Sequence, residues 1–223
     1  MERDSHSAAE SEVESETSTQ SSRTFVVKKN DLNPNTIDKD VLINPYIEDN
    51  SREESYILTL GKNFFVHENT VPAINPESKK VNRNYWGVPK KASVMGASEC
   101  KAHGLDTEKR YIKLPSGKSI LCHTGEFIGI TSGMKIIFDP IPKLITSLVD
   151  VKICKGGHYF DRCVVSVKNN SESCVYLRES SPIAEATFIR TSPADPKKGF
   201  GKDKEALTQI ENDWKPENLF HIK

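Results

Sequence analysis

Few stretches of this sequence set chemically useful side chains close together. His123, Thr124 and Glu126 bring an imidazole, a hydroxyl and a carboxylate within four residues, the types that general acid–base chemistry uses. Cys154, His158 and Cys163 raise zinc, but their spacing matches no standard site and no fourth ligand is evident, so no metal is expected. Lys197-Lys198-Gly199-Phe200-Gly201-Lys202 joins cations to glycines that let backbone N–H groups approach a phosphate, with Phe200 able to stack on a base. It lacks the spacing of a P-loop, and the preferred reading is a flexible basic linker to the last helix. The five cysteines form no CxxC pair and several sit in apolar runs, so they read as reduced thiols of a cytosolic or nuclear protein.

The elements that would carry these groups are mostly strands. Tyr56, Leu58 and Leu60 alternate with Ser55, Ile57 and Thr59, and Gly61 reads as a turn after them. Ser119 to Cys122, Phe127-Ile128, Val149 to Ile153 and Cys163 to Val167 carry the same pattern. Asn169-Asn170-Ser171 looks like a hairpin turn into Val175 and Leu177. A single helix stands out over about 203–214, where Ala206, Leu207, Ile210 and Trp214 recur at three- and four-residue spacing before Pro216. The stretch of about 67–110 reads as a polar loop excursion carrying Tyr85 and Trp86. Short strands with frequent turns imply a mostly β sandwich or barrel.

Several segments, in order, resemble the dCTP deaminase and dUTPase superfamily, most closely the dCTP-deaminase-like proteins of large DNA viruses and some eukaryotes. They are Ile43-Asn44-Pro45-Tyr46, Ser55-Tyr56-Ile57-Leu58-Thr59-Leu60-Gly61, Tyr85-Trp86-Gly87-Val88-Pro89, Leu114-Pro115-Ser116-Gly117 and the run from Ile120 to Gly129. Arg162 to Asn170 is similar to the family's R-W-T-M-E-I-x-N-N stretch, Ile183-Ala184 to its R-I-A-Q segment, and Trp214-Lys215-Pro216-Glu217 to a common ending. The resemblance spans about 31–221. It implies a dUTPase-like distorted β-barrel or jelly roll with a C-terminal helix, assembled as a homotrimer. Sites between subunits would bind a pyrimidine deoxynucleoside triphosphate with Mg²⁺ for deamination or diphosphate cleavage. It also implies a structural, barrel-lining role for His123, Thr124 and Glu126, and likens Lys197–Lys202 to the Gly-rich arm of dUTPases.

Where the family carries its chemistry, this sequence departs from it. The R-S-S-x-x-R segment falls on Ile136-Ile137-Phe138-Asp139-Pro140-Ile141-Pro142-Lys143, which has neither serine nor arginine. The catalytic carboxylate of the R-W-T-M-E-I stretch falls on Ser166, whose hydroxyl has no useful basicity near neutral pH. Ile57 replaces an aspartate, and Glu185 stands where a neutral glutamine would meet the triphosphate. Losing one positioned general base typically costs about 10²–10⁴-fold, up to roughly 5.5 kcal/mol of barrier. The expectation is therefore a catalytically inactive scaffold with structural or protein-binding duties and no cofactor. Two alternatives stand beside it. One is a rearranged enzyme using Mg²⁺ and Asp139, Asp150, Asp161 or Glu185 as base. The other is a nucleotide-binding regulator using Lys143, Arg162 and Lys198, Gly199, Phe200, Gly201 and Lys202.

Charge limits the partners. Lys+Arg 31 and Asp+Glu 31 give a formal net charge of +0, which points to neither nucleic acid nor an anionic membrane. Six acids against Arg3 and Arg23, among nine serines and threonines, make residues 1–23 an acidic tail expected to be disordered and open to phosphorylation. Residues 24–223 form the expected domain, and the tail or the 67–110 excursion would meet a protein partner. No apolar run approaches the ~20 residues of a membrane span, and no secretory leader is expected, so the reading is cytoplasmic or nuclear.

Overall fold

A computed structural model describes residues 25–32, 40–67, 85–156, 160–192 and 204–220. The architecture is mostly β, a nearly closed barrel-like sheet with a C-terminal helix. Its strands are β1 (Phe25–Val26), β2 (Val41–Asn44), β3 (Tyr56–Val66), β4 (Lys90–Lys91), β5 (Ser93–Val94), β6 (Arg110–Leu114) and β7 (Ser119–Ile130). They continue through β8 (Met134–Pro140), β9 (Val149–Cys154), β10 (Phe160–Asn169), β11 (Val175–Arg178) and β12 (Pro182–Arg190). The main sheet runs β1-β12-β3-β7-β10-β9, with β2 added to β7, β4 to β3 and β8 to β12, and its two sides come together where β8 runs close to β9. A smaller sheet has the order β11-β6-β5.

The interior holds two apolar clusters. Leu60, Ile112, Leu114, Ile120, Cys122, Val165, Val167 and Ala184 form one; Ile43, Tyr56, Leu58, Ile128, Cys163, Ala186 and Phe188 form the other. Strand β7 feeds both, and Thr124 and Glu126 fall between its two contributions. Its other side is covered as well. Leu207 and Ile210 of the helix Lys204–Asp213, together with Trp214, pack on Phe127 and Phe160. Leu219 and Phe220 of the following 3₁₀ turn pack with Phe65 and Val164. Burial on both faces explains why β7 shows no clean polar–apolar alternation.

Three readings of the sequence change. Gly61 is no turn: β3 continues to Val66, and its pairing with β7 shifts register between Leu60 and Phe64. A glycine inside a strand marks such irregularities as often as it marks an end. Asn169 to Ser171 does not fold β11 back on β10. β11 pairs instead with β6, and Asn169 donates its Nδ2 to the carbonyls of Leu114 (3.0 Å) and Ser173 (2.8 Å). The side chain also accepts from the Ser171 N–H at 3.0 Å, so the local turn is present, but the chain it releases pairs with β6 and not with β10. The 67–110 excursion, of which 68–84 lies outside the described residues, contains β4, β5 and a helix, Ala97–His103, closed by Gly104 at φ 63. Glu99 of that helix takes hydrogen bonds from Lys113 and Tyr176, both at 2.6 Å, and so ties it to the small sheet.

Candidate functional site

The site grows from two irregularities facing one strand. The β10–β7 ladder shifts register between Arg162 and Val164, and the Cys163 N–H donates instead to Thr124 Oγ1 at 3.0 Å. The β3–β7 ladder shifts between Leu60 and Phe64, and the Asn63 N–H donates to His123 Nε2 at 3.3 Å. A buried N–H that leaves its ladder needs another acceptor, and β7 supplies both from adjacent residues. His123 Nδ1 lies 2.6 Å from the Thr124 carbonyl, so the proton belongs on Nδ1 and the ring is neutral. Burial, together with the positive charges of Arg162 and Lys62, pushes its pKa down to about 3.

Glu126 is 1% exposed and accepts from the Thr59 N–H (2.9 Å) and Thr59 Oγ1 (2.8 Å). Burial raises its pKa, while the Thr59 hydrogen bonds oppose that rise. Arg162 donates to the carbonyls of Thr124 (2.9 Å) and Gly125 and lies over the rings of Phe127, 4.2 Å from the centroid, and Trp214, 5.2 Å. Trp214 donates its indole N–H to Asp161 Oδ1 at 3.0 Å. These groups form a polar girdle in which the base, the acid and the hydroxyl that the sequence put side by side all spend their bonds on the fold. A histidine with a pKa near 3 is an unprotonated acceptor at neutral pH, already engaged, and is poorly suited to proton transfer there.

Above the girdle lies a cleft of about 490 Å³ between β3, β7, β10 and the C-terminal segment. Lys62, Asn63, Lys91, Arg162, Glu179 and Trp214 are among its walls. Gly61 and Gly125 shape its floor, since a Cβ at Gly61 would collide with the His123 ring and one at Gly125 with Thr59 Oγ1.

The residues singled out in the sequence fall into separate places. Ile57, Glu185 and Asp139 stand side by side across β3, β12 and β8, with Ile57 opposite Glu185 and Glu185 opposite Asp139. Glu185 accepts a hydrogen bond from Ser55, Asp139 is exposed, and Phe138 is half-buried against the second cluster. Lys143 is exposed in the short helix Pro142–Thr146. Ser166 sits on β10 between Lys152 of β9 and Leu121 of β7, and Leu121 in turn faces Phe65 of β3. Ile57 and Phe65 are eight residues apart on β3, about 26 Å at roughly 3.3 Å per residue, so one chain does not bring the Ile57 and Ser166 groups together. Of the set read as nucleotide-binding, Arg162 lines the cleft and Lys143 does not; Lys198 to Lys202 lie outside the described residues. His158 lies outside them too, while Cys154 is exposed and Cys163 fully buried.

Sequence reasoning missed the Asn63–His123 pair, the Thr59–Glu126 pair and the seat of Trp214 over Arg162. A glycine inside an apolar strand was the one available signal. No family model and no curated protein sequence matches the chain. Among solved structures it is similar to a crystal structure of 2'-deoxycytidine 5'-triphosphate deaminase from Agrobacterium tumefaciens, at 12% identity and a TM-score of 0.48. The match covers 78% of this chain and 49% of that one, so the chain spans about half the deaminase's length.

Proposed function

We propose that this protein is a noncatalytic relative of dCTP deaminases and dUTPases that serves as a structural or protein-binding scaffold and assembles as a homotrimer. The observation that carries this reading is the row through Ser166. Across β9, β10, β7 and β3 it reads Lys152, Ser166, Leu121 and Phe65, with no carboxylate to take a proton from water. The Phe65 end of the row is packed edge-on by Phe220 at 4.8 Å, so an aromatic contact made by the chain's own C-terminal segment occupies that side. The acidic 1–23 tail or the 67–110 excursion is the segment offered to a partner.

Purified protein with Mg²⁺ and either dCTP or dUTP is expected to release no ammonia, dUMP or pyrophosphate. Turnover at about 1 s⁻¹ or faster, the ordinary enzyme range, would overturn the noncatalytic reading. Sedimentation at micromolar concentration is expected to give three times the 25.0 kDa chain mass. A single 25.0 kDa species would remove the trimer while leaving the catalytic question to the first assay.

A further inference from the structure

Ile145 and Leu148 put two large apolar side chains into solvent on one turn of chain. They are 57% and 61% exposed, and the Leu148 N–H donates to the Ile145 carbonyl at 3.0 Å. A single exposed leucine is ordinary, but this one also holds φ 58, a backbone that strains any residue with a Cβ and that glycine adopts without conflict. The barrel uses the backbone of Leu148, whose carbonyl accepts from the Asn170 N–H at 2.9 Å. A solvated apolar side chain kept at a strained position points to a contact made outside the barrel core.

The surroundings are basic. The Asn169 N–H donates to the Lys118 carbonyl at 3.0 Å, so residues 116–119, 143–152 and 168–172 meet at one end of the sheet. They carry four lysines, Lys118, Lys143, Lys152 and Lys168, against two carboxylates, Asp150 and Glu172, a surplus of two positive charges. Asp150 lies opposite Lys168 on the β9–β10 ladder and 3.9 Å from Lys152. Lys118 and Lys143 are exposed and belong to none of the ion pairs among the described residues.

We infer that this patch seats the chain's own acidic N-terminal segment, with Val13 against Ile145 and Leu148 and the flanking Glu12 and Glu14 toward the lysines. Residues 1–23 lie outside the described residues, and their sequence sets six acids against two arginines, with Val13 as an apolar residue between two acids. An apolar pair among lysines is the complement of that pattern. The reach is sufficient. β1 begins at Phe25, opposite Arg190, and β8 runs from Met134, also opposite Arg190, to Pro140, about 20 Å along the sheet and next to the helix Pro142–Thr146. The dozen or so residues between Val13 and Phe25 span about 19 Å as a coil and about 40 Å extended. Tethering supplies a millimolar effective concentration, so weak individual contacts suffice. For the scaffold reading, on which this consequence rests, a partner would meet the tail only after displacing it from the chain's own surface.

The test uses the full chain with a benzoylphenylalanine photo-cross-linker in place of Ser11. Cross-links mapped by peptide mass spectrometry are expected within one chain, concentrated on residues 143–152, at a yield independent of protein concentration. The Leu148→Gly/Lys143→Gln double variant is expected to lower that yield at least 5-fold, and about 0.5 M NaCl should lower it too by screening. Glycine suits φ 58 and Lys143 is exposed, and the variant's thermal unfolding serves to establish that it is folded. Cross-links scattered over the surface, or an unchanged yield in the variant, would overturn the seat. A yield that rises with concentration, carried by links between chains, would overturn the intrachain assignment in favour of a neighbouring copy's segment. Turnover of dCTP, which would end the noncatalytic reading, leaves these outcomes unchanged.

Discussion

A methyl group at position 61 has nowhere to go, because the His123 ring already fills the space and its Nε2 is fixed by the Asn63 N–H. Gly61→Ala is expected to cost about 1–3 kcal/mol, the usual penalty for overpacking a filled site. The cost should shrink when the ring is removed. In a His123→Ala background the added Cβ meets a void, so urea denaturation of the two single variants and the double should show coupling of about 1 kcal/mol or more. Strict additivity would place the strain of Gly61→Ala in the backbone and not in the ring. The same pair explains why the imidazole cannot be read as a catalytic base from its neighbours in sequence. His123, Thr124 and Glu126 look like a reactive trio until the register shifts are known. The shifts create the stray N–H groups that His123 and Thr124 exist to satisfy.

Among the elements, the link between the helix Pro142–Thr146 and β9 carries an avoidable cost. Leu148 adopts φ 58 with its side chain 61% exposed, and its carbonyl accepts from the Asn170 N–H at 2.9 Å. A left-handed conformation costs a residue with a Cβ about 1–2 kcal/mol, and little burial repays it here. Leu148→Gly is expected to stabilise the protein by about 0.5–1 kcal/mol once the greater freedom of glycine in the unfolded chain is counted. Unchanged or lower stability would mean that the leucine side chain makes contacts worth keeping. The C-terminal segment is bound far more firmly. Trp214 contributes ring contacts with His123 and Phe127, a cation–π contact with Arg162 and a hydrogen bond to Asp161. Trp214→Ala should cost about 3–5 kcal/mol and speed amide exchange along β7, which that segment covers. Periodicity alone pointed to this helix, described over Lys204–Asp213, because its apolar stripe packs on one surface.

For the molecule as a whole, the β content was legible in the sequence because short apolar runs are set off by turn signals. That pattern left sandwich and barrel open, and the barrel was implied by the family resemblance. The β11–β6 pairing, between residues 61 to 67 positions apart, and the cleft were not legible, since both depend on distant contacts that no local pattern records. The buried girdle also sets how global stability answers to pH, through two groups of opposite sign. His123 has a folded pKa of about 3 against an ordinary 6.5, so its contribution is complete above pH 6.5 and is lost as pH falls toward 3. At up to about 1.4 kcal/mol per pH unit, roughly 2 kcal/mol of that loss falls between pH 6.5 and 4.5. Glu126 has a raised folded pKa, so its contribution is complete below 4.5 and is lost as pH rises through the raised value. The wild-type protein should therefore lose stability from pH 6.5 downward less steeply than histidine alone would dictate. Removing the titrating acid in Glu126→Gln should steepen that fall. His123→Gln, which keeps a side-chain donor near the Thr124 carbonyl, should flatten or reverse it. Urea denaturation midpoints measured from pH 4.5 to 7.5 on the three proteins decide the matter: parallel profiles would mean that neither buried group changes its protonation on folding as its surroundings require.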